Sequence, residues 1–185
     1  ETVLHDCSFC VRQGETVTLA GRTGAGKSTI FKLILGLYSP QQGSVTIFGA
    51  PADQISDRQK RRLFGYVEQT LRPASGTVGD QISLFDETIT ADQIAHAVRL
   101  VGLDSVIAQL PQGMATPWDP ALFSQGQLQL LAIARAVAAD PRILLLDEIT
   151  ANLDSGTESL VMEALRRASA NRTVISISHR LYQQN

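Results

Sequence analysis

Gly21-Arg22-Thr23-Gly24-Ala25-Gly26-Lys27-Ser28 is the stretch on which the fold turns. It fits G-x-x-x-x-G-K-[ST], a loop that cradles phosphate. Its glycines let the backbone curl until successive N–H groups point inward as an anion nest. The helix that follows adds its own unpaired N–H groups and the positive end of its dipole. Lys27 supplies a mobile charge for the β- and γ-phosphates, and Ser28 a hydroxyl for Mg2+. Thr29, next in the chain, is counted with the nucleotide contacts. The flanks agree, with Val17-Thr18-Leu19-Ala20 reading as a strand before the loop. A helix is predicted after it, from about Lys27 to Leu37.

The same strand, turn and helix unit recurs further along the chain. Ile143-Leu144-Leu145-Leu146 is continuously apolar, as a strand buried on both faces should be. Val174-Ile175-Ser176-Ile177 is β-branched and reads alike. Thr90 with Gln93, and Ser155 with Glu158, have capping-box spacing. Asp140-Pro141 stops a helix that begins near Gln127. Strands alternating with helices imply a mainly parallel sheet. Thr16–Ala20 and Ser44–Phe48 alternate more and could add an antiparallel edge lobe. From Leu71 to Ala134 the pattern is mostly helical, which predicts an inserted α lobe. Arg58, Lys60, Arg61 and Arg62 read as a solvated helix face.

Ligands of open α/β sheets bind at the carboxyl ends of the strands. Asp147 and Glu148 follow the apolar strand there. Asp147 can hold Mg2+ through water, and Glu148 can point at a nucleophilic water. Phe64-Gly65-Tyr66-Val67 leads to Glu68-Gln69, and Val174–Ile177 leads to Ser178-His179. Four strands are thus expected to deliver Lys27, Gln69, Asp147 with Glu148, and His179 to one sheet edge. His5 and His96 read as ordinary surface histidines.

Composition narrows the class. The chain has 185 residues, 16 basic and 18 acidic, for a net charge of −2. A nucleic-acid footprint would show as a basic excess. A chain of this length buries about 70% of its unfolded surface without staples. No apolar run reaches the roughly 18 residues of a membrane span. The most apolar stretch, Leu128–Ala139, carries Gln129 and Arg135, and the opening ETVLHDCSFC is no signal peptide. The two cysteines suit a reducing compartment. Cys7 and Cys10 form a lone C-x-x-C with no second ligand pair for zinc, and read as ordinary thiols. Phe9 is expected in a core, within a strand-like run.

These residues together resemble the nucleotide-binding domain of ATP-binding-cassette (ABC) transporters. Six motifs stand in that family's order: GRTGAGKS at 21–28, Gln69 in YVEQ, FSQGQ at 123–127, ILLLDE at 143–148, ANLD at 151–154 and His179 in SHR. The resemblance spans nearly the whole chain. It implies a P-loop NTPase (RecA-like) α/β fold: a mainly parallel sheet with an antiparallel β lobe and an inserted α-helical lobe. Residues 1–70 and 135–185 would form the ATP-binding core with the β lobe, and 71–134 the helical lobe. Ser124 sits where a helix N-cap belongs, so its hydroxyl and the N–H groups near Gly126 make a second anion site. In the family this site, here Ser124, Gln125, Gly126 and Gln127, meets the γ-phosphate of ATP held by the other subunit. Asp154 lies at that interface. The resemblance further implies ATP and Mg2+ as cofactors, with Ser28, Gln69 and Asp147 toward the metal. Glu148 would act on water, His179 on the γ-phosphate and Gln69 as metal sensor, while Lys27 would neutralise charge in phosphoryl transfer. The implied partners are a second nucleotide-binding domain and transmembrane domains, with neither nucleic acid nor direct membrane insertion. The implied location is the cytoplasmic face of a membrane, the bacterial inner membrane in particular.

PASGTVGDQISLFD at 73–86 and LPQG at 110–113 resemble exporters more than importers. The family's acidic, glycine-rich loop after LPQG is replaced by Met114–Leu122, and the third signature position is Gln125 where Gly is commonest. The adenine-stacking aromatic and the strands after the histidine loop are not in this sequence, so a fragment of a longer chain is expected. A soluble DNA-maintenance ATPase of the same type is a weaker reading, because Lys27 and Ser124 are only 97 positions apart with no heptads between, whereas a ribosome-acting relative with two cassettes in one chain stays open as an alternative. A non-catalytic regulatory cassette is disfavoured by the presence of Glu148 and His179.

Overall fold

The computed structural model describes residues 3–149 and 153–178. Its main sheet has four parallel strands: β1 (Thr16–Ala20), β4 (Phe64–Val67), β5 (Ile143–Asp147) and β6 (Thr173–Ser178), in the order β1-β6-β5-β4. The register is continuous, with Leu19 opposite Ile177 and Asp147 opposite Ile177 on the other side. β5 is buried along Ile143–Leu146. Side chains alternate across a strand, so Ile143 and Leu145 join Phe31, Ile34, Phe64, Ile175 and Ile177 on one face. Leu144 and Leu146 join the larger cluster on the other face, with Ile133, Val161 and Ala164.

Seven α-helices are present among the described residues: α1 (Lys27–Ile34), α2 (Asp57–Leu63), α3 (Val78–Ser83), α4 (Ala91–Val101), α5 (Asp104–Ala108), α6 (Gln125–Val137) and α7 (Ser155–Ser169). α6 lies against α3, α4, α7 and β4, so it joins the helical segments to the sheet. At β4 the approach is close: a Cβ on Gly65 would stand 2.7 Å from Leu144 Cδ2 and would strike the Ala136 carbonyl. The loop from Met114 to Leu122 closes over α3. The Trp118 backbone N–H donates to Gly76 O at 2.8 Å, and the indole ring stacks on Phe123 with centroids 5.4 Å apart.

Several expectations need correction. Thr16–Ala20 belongs to the parallel sheet, not to an antiparallel lobe. The antiparallel part is a two-residue pairing of β2 (Thr46–Ile47) with β3 (Ala50–Pro51). α1 stops at Ile34, because Gly36 turns left-handed at φ 61° against the Ala52 backbone. α7 is capped by Asp154 and not by a Ser155–Glu158 box. The Asp154 carboxylate accepts both Gly156 N–H and Thr157 N–H, which places Ser155 inside the helix. Cys7, Phe9 and Cys10 lie outside any strand and are exposed, and both thiols are free. The Thr90–Gln93 box forms as expected. α2 buries none of its residues, in keeping with the solvated reading of its basic side chains.

Candidate functional site

The glycine-rich loop runs from β1 into α1. Gly24 and Gly26 have φ of 81° and 88°, a region that costs other residues roughly 1–2 kcal/mol. Gly26 has a second reason to be glycine, since a Cβ there would stand 2.7 Å from Leu4 Cδ2. Lys27 is 8% exposed, and its ammonium donates to Gly21 O at 2.7 Å and Arg22 O at 2.9 Å. The charge is thereby folded back over the loop at the start of α1. A cleft of about 210 Å3 opens here, lined by Val3, Thr23, Gly24, Gly26, Lys27, Ser28, Thr29 and Glu148. The loop and the residue after β5 therefore share one opening at the carboxyl edge of the sheet.

Glu148 reaches that opening through an unusual backbone. Its φ is 50°, and its N–H donates to Ile177 O at 3.3 Å. Non-glycine residues held left-handed cost of order 1–3 kcal/mol and cluster at functional sites. The turn ends the strand at Asp147 and aims the next side chain at the cleft.

Asp147 is held differently. Its Oδ2 accepts a hydrogen bond from the Tyr66 hydroxyl at 2.9 Å. Burial first, and the Asp147 carboxylate second, push the Tyr66 phenol far above its ordinary value. Tyr66 therefore keeps its proton and serves as a hydrogen-bond donor to Asp147. Its ring sits edge-on to Phe31 of α1, centroids 6.1 Å apart.

Gln69, Ser124, Gln125, Gly126, Gln127 and Asp154 do not line the cleft. Gln69 follows β4 and is exposed, and its carbonyl accepts from Gln129 Nε2 of α6 at 2.7 Å. Ser124 caps α6 with a full capping box: its side chain accepts from Gln127 N–H, and the Gln127 side chain accepts from Ser124 N–H at 2.8 Å. Ser124 and Gln125 are exposed, whereas Gly126 is buried against Thr157 of α7, whose methyl group a Cβ would strike. Asp154 is exposed at the head of the same α7. His179 lies outside the described residues, as do Ala151 and Asn152 of the ANLD stretch. Sequence reasoning missed Val3 at the cleft, Tyr66 on Asp147, and the Gln69–Gln129 tie. Tyr66 and Gln129 could have been suspected as polar groups inside apolar runs.

The segment after Gln69 is also tied down. Gln81, 1% exposed, donates from Nε2 to Ala74 O and accepts Ala74 N–H at its Oε1. Arg135 of α6 donates to Gln81 O and Arg72 O. A larger cleft of about 320 Å3, lined among others by Asp92, His96, Asp140 and Arg172, lies at the opposite edge of the sheet. Its arginine is engaged by Asp140, Pro141 O and Ala168 O, and no glycine nest is there.

The ABC transporter family model matches residues 4–151. The chain belongs to the ABC transporter family. It is 41% identical over 183 residues to the "Probable multidrug resistance ABC transporter ATP-binding/permease protein YheH" of Bacillus subtilis, covering 98% of this chain and 27% of that protein. It is 38% identical over 184 residues to the ATP-dependent lipid A-core flippase of Pseudoalteromonas atlantica, covering 98% and 32%. A bacterial Atm1-family ABC exporter solved with ATP bound superposes with TM-score 0.83 at 34% identity, over 98% of this chain and 32% of that one. The chain thus spans about a third or less of the length of these relatives. As an ABC cassette it has the ATP-binding P-loop fold. No described helix is long and apolar enough to cross a membrane.

Proposed function

We propose that this cassette powers export across a membrane, with MgATP closing it against a second cassette and hydrolysis reopening the pair. The observation that carries the reading is the shared cleft, where Lys27, Ser28 and Glu148 meet at the carboxyl edge of the sheet. Similarity to a flippase, to a probable multidrug resistance transporter and to an Atm1-family exporter supports the direction of transport.

The donor set suits Mg2+. No group of three or more His, Cys, Asp or Glu capable of caging a metal exists among the described residues. One hydroxyl and one carboxylate, Ser28 and Asp147, are what a Mg2+ site completed by phosphate and water requires. Bound there, the ion would neutralise charge on the β- and γ-phosphate oxygens. The loop N–H groups and the start of α1 would hold the phosphates. Two of the three Lys27 donors are on loop carbonyls, and the third serves a phosphate oxygen. Glu148 accepts the proton of the attacking water. His179 positions the γ-phosphate, and Gln69 responds to the metal.

Ser124, Gln125 and Asp154 are exposed and do not line the cleft. A second chain, placed head to tail, would bring its own Ser124 helix end to this cleft. That arrangement calls for transmembrane partners to transmit closure, and for residence at the cytoplasmic face of a membrane, the bacterial inner membrane in this reading. The test is the mass of Glu148→Gln by light scattering with and without MgATP. Doubling from 20.0 kDa with MgATP alone is expected. A monomer with ATP demonstrably bound would refute closure by the chain itself.

A further inference from the structure

Asp147 offers two carboxylate oxygens, and one is already committed. The Tyr66 hydroxyl donates to Oδ2 at 2.9 Å. Tyr66 is on β4, hydrogen-bonded neighbour of β5, with Tyr66 opposite Leu145. The donor thus comes from the adjacent strand, two positions short of the carboxylate. Its ring is fixed in turn by Phe31, 2% exposed, which lies on α1 three residues after Ser28. One phenol therefore links the strand that leads to Gln69, the helix that carries Ser28, and the carboxylate assigned to the metal.

We propose that Tyr66 is a positioning residue for the metal site: it locks Asp147 so that only Oδ1 faces the bound divalent cation. The inference rests on the reading of Asp147 as the metal carboxylate. Two consequences follow from the geometry. A carboxylate with a fixed rotamer loses less freedom when the ion or its water binds, and partners of this kind commonly alter metal affinity by about 10–100-fold. A carboxylate with one oxygen already accepting a hydrogen bond is also a poorer bidentate chelator, because that oxygen has given one of its two lone pairs and its orientation to the phenol. Ca2+ readily takes bidentate carboxylates, while Mg2+ keeps an octahedral shell with several waters. The tyrosine would therefore favour the smaller ion. A plain strand tie, in which the hydroxyl merely finds a partner on burial, would have neither consequence.

Tyr66→Phe deletes the hydroxyl and keeps the ring on Phe31. Mn2+ would be titrated into the wild type, Tyr66→Phe and Asp147→Asn, each with a non-hydrolysable ATP analogue bound, and read by electron paramagnetic resonance. Ca2+ would then be added in competition. Unfolding temperatures of the three would be compared to exclude a fold defect. The expected result is about tenfold weaker Mn2+ binding for Tyr66→Phe, with Ca2+ displacing Mn2+ at a lower ratio than in the wild type. Analogue affinity without metal stays unchanged. If Asp147→Asn weakens Mn2+ while Tyr66→Phe matches the wild type in both titrations, Tyr66 is a strand tie and the inference is overturned. If Asp147→Asn leaves Mn2+ binding untouched, the metal assignment of Asp147 fails, and the inference fails with it.

Discussion

Glu148 carries the sharpest residue-level expectation. Its left-handed backbone is retained by an isosteric amide, so Glu148→Gln changes chemistry with little change in shape. Turnover should fall about 10²–10⁴-fold, the usual contribution of a general base, with ATP affinity preserved in an equilibrium binding assay. Asp154 gives a prediction in pH. Its hydrogen bonds to Thr157 and Gly156 hold the carboxyl below its ordinary value. The folded pKa lies below the unfolded one, so the contribution to stability is complete above about pH 4 and is lost as pH falls through the lowered value. Asp154→Ala should therefore lower Tm at pH 6, and the gap to wild type should narrow in melts below pH 3. The motif residues of the loop were legible in the sequence because the nest needs glycine at fixed spacing. The Tyr66 contact was not, because nothing in spacing says which oxygen of which carboxylate lies within 3 Å of a phenol on another strand.

At the scale of elements, the joint between α6 and α7 decides how the Ser124 helix end, the proposed second anion site, is held. Gly126 is buried where a Cβ would strike the Thr157 methyl group. Gly126→Ala should destabilise by about 1–3 kcal/mol through overpacking, measured by urea unfolding. Thr157→Ser removes that methyl, so the double variant should recover most of the loss. Simple additivity of the two single effects would show that the contact is not the cause. Helix starts at Thr90 and Ser124 were readable from side-chain chemistry alone. The start of α7 was misread by one residue, because Asp154 and Ser155 are both good caps. The choice between them fell to whichever oxygen meets two N–H groups. The expected strand around Phe9 failed for a different reason. Its apolar residues find no partner strand among the described residues, and a β-strand needs neighbours that a local pattern cannot supply.

For the molecule as a whole, the phosphate loop and the Ser124 helix end are both built, but not on the same cleft. Hydrolysis should thus depend on a second copy. Ser124→Arg should abolish turnover in an ATPase assay while ATP binding to the monomer remains, and loss of both would indicate a folding defect. The sequence by itself determined the fold class, the order of the strands that carry the candidate residues along the chain, and the glycine-rich turn between β1 and α1. These depend on local rules: glycine where φ is positive, apolar runs where both faces are covered, and caps where N–H groups lack partners. Only the tertiary structure decided that Thr16–Ala20 joins the parallel sheet, that Tyr66 holds Asp147, that Gln129 holds the carbonyl of Gln69, and that Gly126 must make room for Thr157. Each of these pairs residues 31 to 158 positions apart in one chain, and local spacing does not say which distant residues meet until the sheet and helices have packed.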